Sequence, residues 1–366
     1  MINMHVVTCN NCGRMYPDEG APFRCQVCGG VFDYKTPLIF DRLSVDDTKP
    51  GIWKYQHTFK GFQNCEPVSL NEGNTPLQWI DFSGLKIGMK CEYLNPTRSY
   101  KDRGSTLLAT FLKSRSVQKC VEDSSGNAGA SLAAYSKKAG ISLTVFIPSY
   151  ASNTKKKLIR KHGAQLRTIE GTRSDVSNET LKAAASGISY ASHAYLPFNL
   201  PGYASIAYEL FEQMGGESPA TIIIPVGQGG LLLGIFRGFQ ALQDANLINR
   251  IPKLVGVQAR ACAPLWSLYN GGIDGLRFAS DNPTIAEGVR VWHPVRGDDV
   301  LKAVGSTGGI FVAVDEDEIS DSLEELEYRG FMVEPTSAIV WSALVQLKDS
   351  LKDSTVLVLT GARKKN

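Results

Sequence analysis

The run Asn-Pro-Thr-Arg-Ser-Tyr-Lys-Asp-Arg-Gly, residues 95–104, contains the residue best suited to do chemistry, Lys101. A Pro-Thr-x-Ser turn precedes this lysine and a predicted helix follows it, so its amine can be directed into a cleft. There a lysine can hold a carbonyl cofactor as a Schiff base. The chain has 39 lysines and arginines, and most such side chains are solvated surface groups. The role of Lys101 therefore depends on the other motifs.

Two turns rich in glycine lie between a predicted strand and a predicted helix. Residues 124–131 are Ser-Ser-Gly-Asn-Ala-Gly-Ala-Ser, and residues 225–231 are Pro-Val-Gly-Gln-Gly-Gly-Leu. Such a turn presents backbone N–H groups at the positive end of the helix dipole, which suits a phosphate. The alternative is a plain connection between two elements, which is the more frequent use of a glycine turn.

Four of the eight cysteines form two Cys-x-x-Cys pairs near the N-terminus, Cys9 with Cys12 and Cys25 with Cys28. A glycine follows each pair, which lets backbone amides turn back and donate to sulfur. Four thiolates at this spacing suit tetrahedral Zn²⁺, and no coordination position remains open, so we expect a structural zinc. The alternative, two disulfides, is disfavoured in a reducing cytosol.

Composition indicates a globular protein without a bias towards polyanions. The chain has 366 residues, of which 43% are hydrophobic and 20% charged, enough for one large α/β unit or two lobes. A formal net charge of +3 favours neither nucleic acid nor an anionic membrane as a partner. No apolar run approaches the ~20 residues that cross a bilayer, and no secretory signal is evident. We therefore predict a cytoplasmic protein.

Strands and helices alternate after about residue 70. The predicted strands are 85–90, 119–122, 143–147, 165–169, 221–225, 253–258 and 356–359. The predicted helices are 105–113, 127–138, 154–162, 203–213, 231–242 and 334–347. This order predicts parallel strands with right-handed crossovers. Because ligands of open α/β sheets bind at the carboxyl ends of strands, we expect Lys101, on a loop, and both turns to share one crevice.

The lysine motif and the two turns, in this order, resemble those of the fold type II pyridoxal-phosphate enzymes, the tryptophan synthase β family. The strongest resemblance is to threonine synthase and the threonine and serine dehydratases. Glu-Gly-Asn-Thr-Pro-Leu at 72–77 and Leu-Thr-Gly at 359–361 also match, and the resemblance spans about residues 65 to 362. It implies a two-lobed, parallel-sheet α/β fold, a pyridoxal 5'-phosphate cofactor and a homodimer.

We divide the chain accordingly into three parts. Residues 1–35 form the zinc ribbon and residues 36–70 a connecting arm. Residues 71–366 form the cofactor-binding catalytic body of two α/β lobes, with the smaller lobe at about 95–200 and the larger lobe made of the remainder.

The resemblance also implies a role for each motif in cofactor binding. Lys101 would form the Schiff base and then move the α-proton of the substrate. The backbone amides that would hold the 5'-phosphate belong to Gly227, Gln228, Gly229, Gly230 and Leu231. Asn127 would donate to the 3'-oxygen, although an Asx turn that starts a helix is the alternative. Thr360 would face the pyridine nitrogen, with a hydroxyl that caps a strand end as the alternative.

The substrate carboxylate would bind to the first turn, at Ser124, Ser125, Gly126 and Ala128. Arg98 stands where the resemblance leads us to expect glycine, and no arginine occurs between Arg173 and Arg237 to bind a substrate phosphate. We therefore hypothesise that Arg98 recognises an anionic substrate tail. The alternative is a surface ion pair.

These assignments predict β-elimination or β-replacement on a small L-amino acid, through an aminoacrylate intermediate. Threonine synthase, which makes threonine from O-phosphohomoserine, is the alternative. It comes second because Ala128 and the Gly-Gln-Gly-Gly-Leu turn both depart from the residues usual in threonine synthases. A further alternative is a non-catalytic protein that binds partners through its zinc ribbon.

Overall fold

The structure is a computed structural model that describes residues 4–151, 153–351 and 354–363. The first three residues of the predicted ribbon and the last three of the predicted body lie outside the described residues. The strands are β1 Val7–Cys9, β2 Phe32–Tyr34, β3 Leu77–Phe82, β4 Leu85–Lys90, β5 Lys119–Glu122, β6 Ser142–Pro148, β7 Gln165–Ile169, β8 Ser189–Tyr190, β9 Thr221–Pro225, β10 Lys253–Ala259, β11 Ile310–Val314 and β12 Thr355–Val358. The helices are α1 Lys101–Ser114, α2 Asn127–Ala139, α3 Asn153–Lys161, α4 Arg173–Ala185, α5 Leu200–Gln213, α6 Gly230–Asp244, α7 Pro264–Gly275, α8 Gly297–Ser306, α9 Glu316–Tyr328 and α10 Pro335–Leu347.

The chain forms two compact units. The first contains the described residues up to Gly73 together with Lys101–Gly202, and the second contains Asn74–Tyr100 and the described residues from Tyr203 onward. Each unit is built on a parallel sheet flanked by helices. The predicted mixed α/β class with parallel sheets is thus confirmed.

The sheet of the first unit has the strand order β7-β6-β5-β8, and all its pairs are parallel. Apolar residues of β6 fill its centre, since Val145 and Ile147 are fully buried. β5 and β8 are neighbours, with Val121 opposite Tyr190. Because the two strands run in the same direction, the residues that follow Glu122 and Tyr190 emerge at the same edge of the sheet.

Polar side chains inside the first unit tie α1 to its surroundings. The Trp53 indole donates to Thr106 Oγ1 at 2.8 Å, which attaches the predicted connecting arm to α1. Ser131 of α2 donates to Asp102 Oδ1 at 2.5 Å. A Cβ at Gly202 would stand 1.9 Å from the carbonyl oxygen of Arg103, so only glycine permits this close approach. The start of α1 is therefore held on several sides.

The sheet of the second unit has the order β11-β10-β9-β12-β4-β3, in which only β3 pairs antiparallel. Its core contains Ile223, Val257 and Leu357, each fully buried. A buried ion pair joins β4 to α5, because Lys90 Nζ lies 2.7 Å from Glu209 Oε2. Lys90 Nζ also donates to the carbonyl of Thr75 at 2.7 Å. Buried charges persist in proteins when they are paired and hydrogen-bonded in this way.

Most predicted elements have the observed bounds to within a few residues, and the strands at 85–90, 119–122, 165–169 and 221–225 agree at both ends. The prediction was wrong for Lys101, which is the first residue of α1 and does not lie on a loop. Asp102 in the first turn favours this earlier start because a carboxylate stabilises the positive end of the helix dipole. Among the described residues, the helices that we find are too short or too polar to span a bilayer.

Candidate active site

The turn before Lys101 belongs to the second unit and is held by its backbone. Arg98 N–H donates to the carbonyl of Asn95 at 2.7 Å, and Ala362 N–H donates to the carbonyl of Arg98 at 3.0 Å. Tyr100 N–H donates to the carbonyl of Thr360 at 2.9 Å. The residue that precedes Lys101 is thus bonded to the segment that follows β12.

Arg98 adopts the left-handed backbone conformation, with φ at 68°. For a residue with a Cβ this conformation costs about 1–2 kcal/mol relative to glycine. The side chain is exposed, and the described part of the chain offers it no carboxylate within ion-pair distance. The surface ion pair that the sequence left open is therefore not formed among these residues, and the guanidinium is available to a ligand.

The first glycine turn connects β5 to α2 in the first unit. Ser124 Oγ accepts from Gly126 N–H at 3.3 Å, and α2 begins directly afterwards at Asn127. The helix has no side-chain cap from Gly126. A Cβ at Gly129 would stand 1.9 Å from the carbonyl oxygen of Ser124, so the turn packs tightly on its own helix. This arrangement leaves Ser124, Ser125, Gly126 and Asn127 partly exposed, whereas Ala128 is buried.

The second glycine turn connects β9 to α6 in the second unit. Gly229 is left-handed, with φ at 82°, and a Cβ there would meet Val300 Cγ2 at 2.2 Å. A Cβ at Gly227 would meet the carbonyl oxygen of Gly288 at 2.7 Å. The Gln228 side chain is occupied, since its Oε1 accepts from Val295 N–H at 3.0 Å. The turn therefore presents backbone rather than side chains, as a phosphate cradle requires.

Thr360 lies just beyond β12 in the second unit and is buried. Its Oγ1 has no hydrogen-bond partner within the described ranges. A buried hydroxyl normally has a partner, so this one fits a ligand group such as the ring nitrogen of pyridoxal phosphate.

The four N-terminal cysteines are clustered as predicted. All four sulfur atoms lie within 4.8 Å of one another, with Sγ–Sγ distances of 3.4 Å from Cys9 to Cys28 and 3.7 Å from Cys12 to Cys25. A tetrahedron with Zn–S bonds of about 2.3 Å has sulfur atoms about 3.8 Å apart. Backbone N–H groups of Cys28 and Val27 donate to Cys25 and lower its pKa to about 6, whereas the neighbouring cysteine sulfurs outweigh the Gly30 N–H and raise the pKa of Cys28 to about 12. The donor set thus fits zinc, and none of the eight cysteines forms a disulfide.

Sequence reasoning missed one pair of titratable residues in the first unit. Glu122, the last residue of β5, has a fully buried carboxyl whose Oε1 lies 3.0 Å from Nδ1 of His193. His193 follows β8, a two-residue strand too short for the hydrophobic pattern to predict. The pairing of β5 with β8 brings the two together.

Comparison with known proteins agrees with this geometry. Residues 68–361 match the family described as pyridoxal-phosphate dependent enzyme. The chain belongs to this family. Pyridoxal phosphate is therefore its cofactor, and the predicted fold type II enzyme of β-elimination or β-replacement type is confirmed at the level of the family.

Relatives of this pyridoxal-phosphate enzyme include two archaeal threonine synthases. The one from Methanosarcina acetivorans is 29% identical, over 98% of this chain and 91% of that protein. The one from Methanocaldococcus jannaschii is 30% identical, over 95% of this chain and 88% of that protein.

Solved structures of other enzymes have the same fold. A threonine deaminase from T.th. superposes with a TM-score of 0.68 at 25% identity, over 80% of this chain and 93% of that chain. A fungal L-serine ammonia-lyase from Rhizomucor miehei has a TM-score of 0.69 at 19% identity, over 82% of this chain and 96% of that chain, and at this identity it shows the fold alone.

Replacing Gly229 by alanine should weaken cofactor binding by this pyridoxal-phosphate enzyme about 10- to 100-fold. The added Cβ would force the turn away from Val300, so the backbone amides of the turn would no longer point at the phosphate. The measurement is a cofactor titration followed by absorbance. Gly330→Ala is the matched control, since Gly330 has a similar φ of 88° but no atom within 4 Å of an added Cβ. Equal affinities of the two variants would contradict the phosphate role of the turn.

Proposed function

We propose that this protein catalyses β-elimination or β-replacement on a small L-amino acid that carries a leaving group at Cβ, with Lys101 as the residue that binds the cofactor. Membership of the pyridoxal-phosphate family carries the proposal, and the lysine motif is the part of the chain best suited to bind the aldehyde. When bound, the cofactor supplies an electron sink that stabilises negative charge at the substrate Cα.

We propose for the site residues the roles that the sequence indicated. The turn at 227–231 would hold the 5'-phosphate, Asn127 would donate to the 3'-oxygen, and Thr360 would face the ring nitrogen. A hydroxyl cannot strongly favour a protonated pyridine ring, so the cofactor withdraws electrons less strongly than one whose ring nitrogen faces an aspartate. A weaker electron sink suits elimination more than transamination. Ser124, Ser125, Gly126 and Ala128 would bind the substrate carboxylate, supported by the partial exposure of the first three, whereas Ala128 is buried in the first turn of α2.

Lys101→Ala tests this proposal. Wild-type protein should show the Schiff-base absorbance band, which shifts when one member of an amino-acid panel is added, and the variant should lack the band. Lys113→Ala, at the far end of the same helix, is the control and should behave as the wild type. A wild-type protein without the band, before and after borohydride trapping, would show the proposal to be wrong.

Threonine synthase is the second candidate, and the names of the two archaeal relatives favour it. Phosphate release from O-phosphohomoserine distinguishes the two, because only a threonine synthase should release phosphate and form threonine together. The lack of an arginine between Arg173 and Arg237 makes us prefer the broader proposal.

We also propose that Arg98 recognises an anionic group of the substrate, supported by its exposed guanidinium and its costly left-handed backbone. Strained residues persist where function requires them. Arg98→Gly should stabilise the protein by about 1 kcal/mol, measured by urea unfolding, because the strain is relieved. The same change should lower kcat/KM for anionic amino acids about 10- to 100-fold.

Arg98→Lys is the matched control, because it keeps the charge and should retain most of the activity. If Arg98→Gly leaves kcat/KM unchanged for phosphorylated, sulfonated and dicarboxylic amino acids alike, Arg98 does not bind substrate.

For the N-terminal ribbon we propose one structural Zn²⁺ bound by Cys9, Cys12, Cys25 and Cys28. Metal analysis should find about one zinc per chain, and Cys12→Ser should lose most of it and lower the melting temperature. Cys65→Ser, at a partly buried thiol outside the cluster, should keep both. Full zinc content in Cys12→Ser would rule out the four-cysteine site.

The compartment, the oligomeric state and the domain boundaries stay predictions. The free state of all eight cysteines supports a reducing compartment such as the cytoplasm. The resemblance to fold type II enzymes supports a homodimer, and the boundaries at about residues 35 and 70 stay predictions.

A further inference from the structure

Glu122 and His193 form a buried acid–imidazole pair at the carboxyl edge of the first unit's sheet. Glu122 Oε1 lies 3.0 Å from His193 Nδ1, while Oε2 is buried and lacks a partner within the described ranges. The His193 side chain is 24% exposed, and the ring hydrogen bond found in the described part of the chain is the one at Nδ1. A buried acid thus holds Nδ1, which leaves Nε2 as the ring nitrogen that could act on another group.

The pair lies beside the residues proposed to act on substrate. Glu122 is followed after one residue by the turn that begins at Ser124. The positive charge of Lys101 acts to lower the pKa of both Glu122 and His193. Lys101, Glu122, His193 and Ser124 all belong to the same unit.

Other charged groups surround the pair. Asp123 accepts from the Tyr190 hydroxyl at 2.8 Å, and Arg173 lies 3.9 Å from Asp123 Oδ2. Burial, helped by Asp123 and opposed by Arg173 and Lys101, raises the pKa of Glu122 well above its usual range. Burial, helped by Lys101 and Arg173, lowers the pKa of His193 well below its usual range. Both directions favour the uncharged forms, a protonated Glu122 carboxyl and a neutral His193 ring. In the arrangement proposed below, Glu122 donates to Nδ1 and Nε2 carries the ring proton.

We propose that His193 is a second acid–base residue of this enzyme, with Glu122 as the positioning residue that supplies its proton. The inference rests on the proposed function, in which Lys101 handles the proton at Cα. His193 would handle the proton of the group that leaves from, or adds to, Cβ.

The proton transfers balance in both directions. When the Cβ–O bond of L-serine breaks, its electron pair leaves with oxygen, which takes the Nε2 proton and becomes water. Nδ1 then takes the proton of Glu122, which becomes a carboxylate. In replacement, the incoming nucleophile H–Y loses its proton to Nε2 as Y bonds to Cβ, and Nδ1 returns its proton to Glu122. Replacement therefore returns the pair to its starting state. After elimination alone, Glu122 regains a proton from solvent, and Lys101 releases the α-proton to solvent, so the protons balance.

A leaving group that needs no proton separates this role from a structural one. His193→Asn should lower kcat/KM for pyruvate formation from L-serine about 100-fold or more. The same variant should change elimination from β-chloro-L-alanine less than about threefold, because chloride leaves without a proton. Glu122→Gln keeps a hydrogen bond to Nδ1 but has no proton to transfer, so it should impair L-serine selectively as well.

The cofactor absorbance band should be unchanged in both variants. His57→Asn, at another partly buried histidine of the same unit, is the matched control and should leave both reactions unchanged.

A measurement independent of turnover is NMR of the full-length protein with ¹⁵N-labelled histidine, which gives the chemical shifts of the ring nitrogens. The His193 signal is assigned as the one that is missing from His193→Asn. We expect a neutral ring protonated on Nε2 between pH 6 and 8, and a ring protonated on Nδ1 alone would overturn the relay. Equal loss of both reactions in His193→Asn, or loss of neither, would also overturn it. If the wild type eliminates from neither compound, the proposed function fails and this inference with it.

Discussion

The turn at 95–100 is held to the segment that follows β12 by main-chain hydrogen bonds, and the site residues of the second unit depend on this contact. Tyr93 donates to the carbonyl of Leu359 at 3.0 Å and Tyr100 to that of Thr360 at 2.9 Å. Ser99 and Gly361 form an antiparallel bridge. One set of bonds therefore places the backbone of Arg98, the hydroxyl of Thr360 and the residue before Lys101.

Buried polar side chains support this turn from below. Glu92 accepts from Thr75 Oγ1 at 2.6 Å and from Asn95 Nδ2 at 3.0 Å. Lys90 bonds to the Thr75 carbonyl and to Glu209. Removing one partner of such a buried pair typically costs about 3–5 kcal/mol, because the other charge is left unpaired. Asn95 connects this network to the turn, because its side chain donates to Glu92 and its carbonyl accepts from Arg98 N–H. The network thereby supports the backbone of the strained arginine.

In the proposed reaction, the first unit would supply two kinds of proton chemistry, one from Lys101 and one from the Glu122–His193 pair. Burial, helped by the positive charge of Lys101, lowers the pKa of His193, and burial raises the pKa of Glu122. A neutral pair costs little to bury, whereas an unpaired carboxylate at the same place would be expensive. The unit can therefore keep a transferable proton inside its sheet without an exposed acid.

The sequence by itself determined the features that depend on local patterns. Apolar runs and glycine turns located the main strands and the start of α2, and spacing located the four cysteines and the lysine motif. The sequence pattern did not predict several short or polar elements, among them β8 and the charged helix α4. A two-residue strand or a weakly amphipathic helix shows little hydrophobic periodicity.

Only the tertiary structure decided three points. It placed Arg98 in the left-handed region without a carboxylate partner among the described residues, because a residue's φ depends on the bonds made by its neighbours. It began α1 at Lys101, where contacts from α2 and α5 hold the first turn. It joined Glu122 to His193 across 71 positions of sequence, since strand pairing in a parallel sheet sets such contacts and no local pattern encodes them.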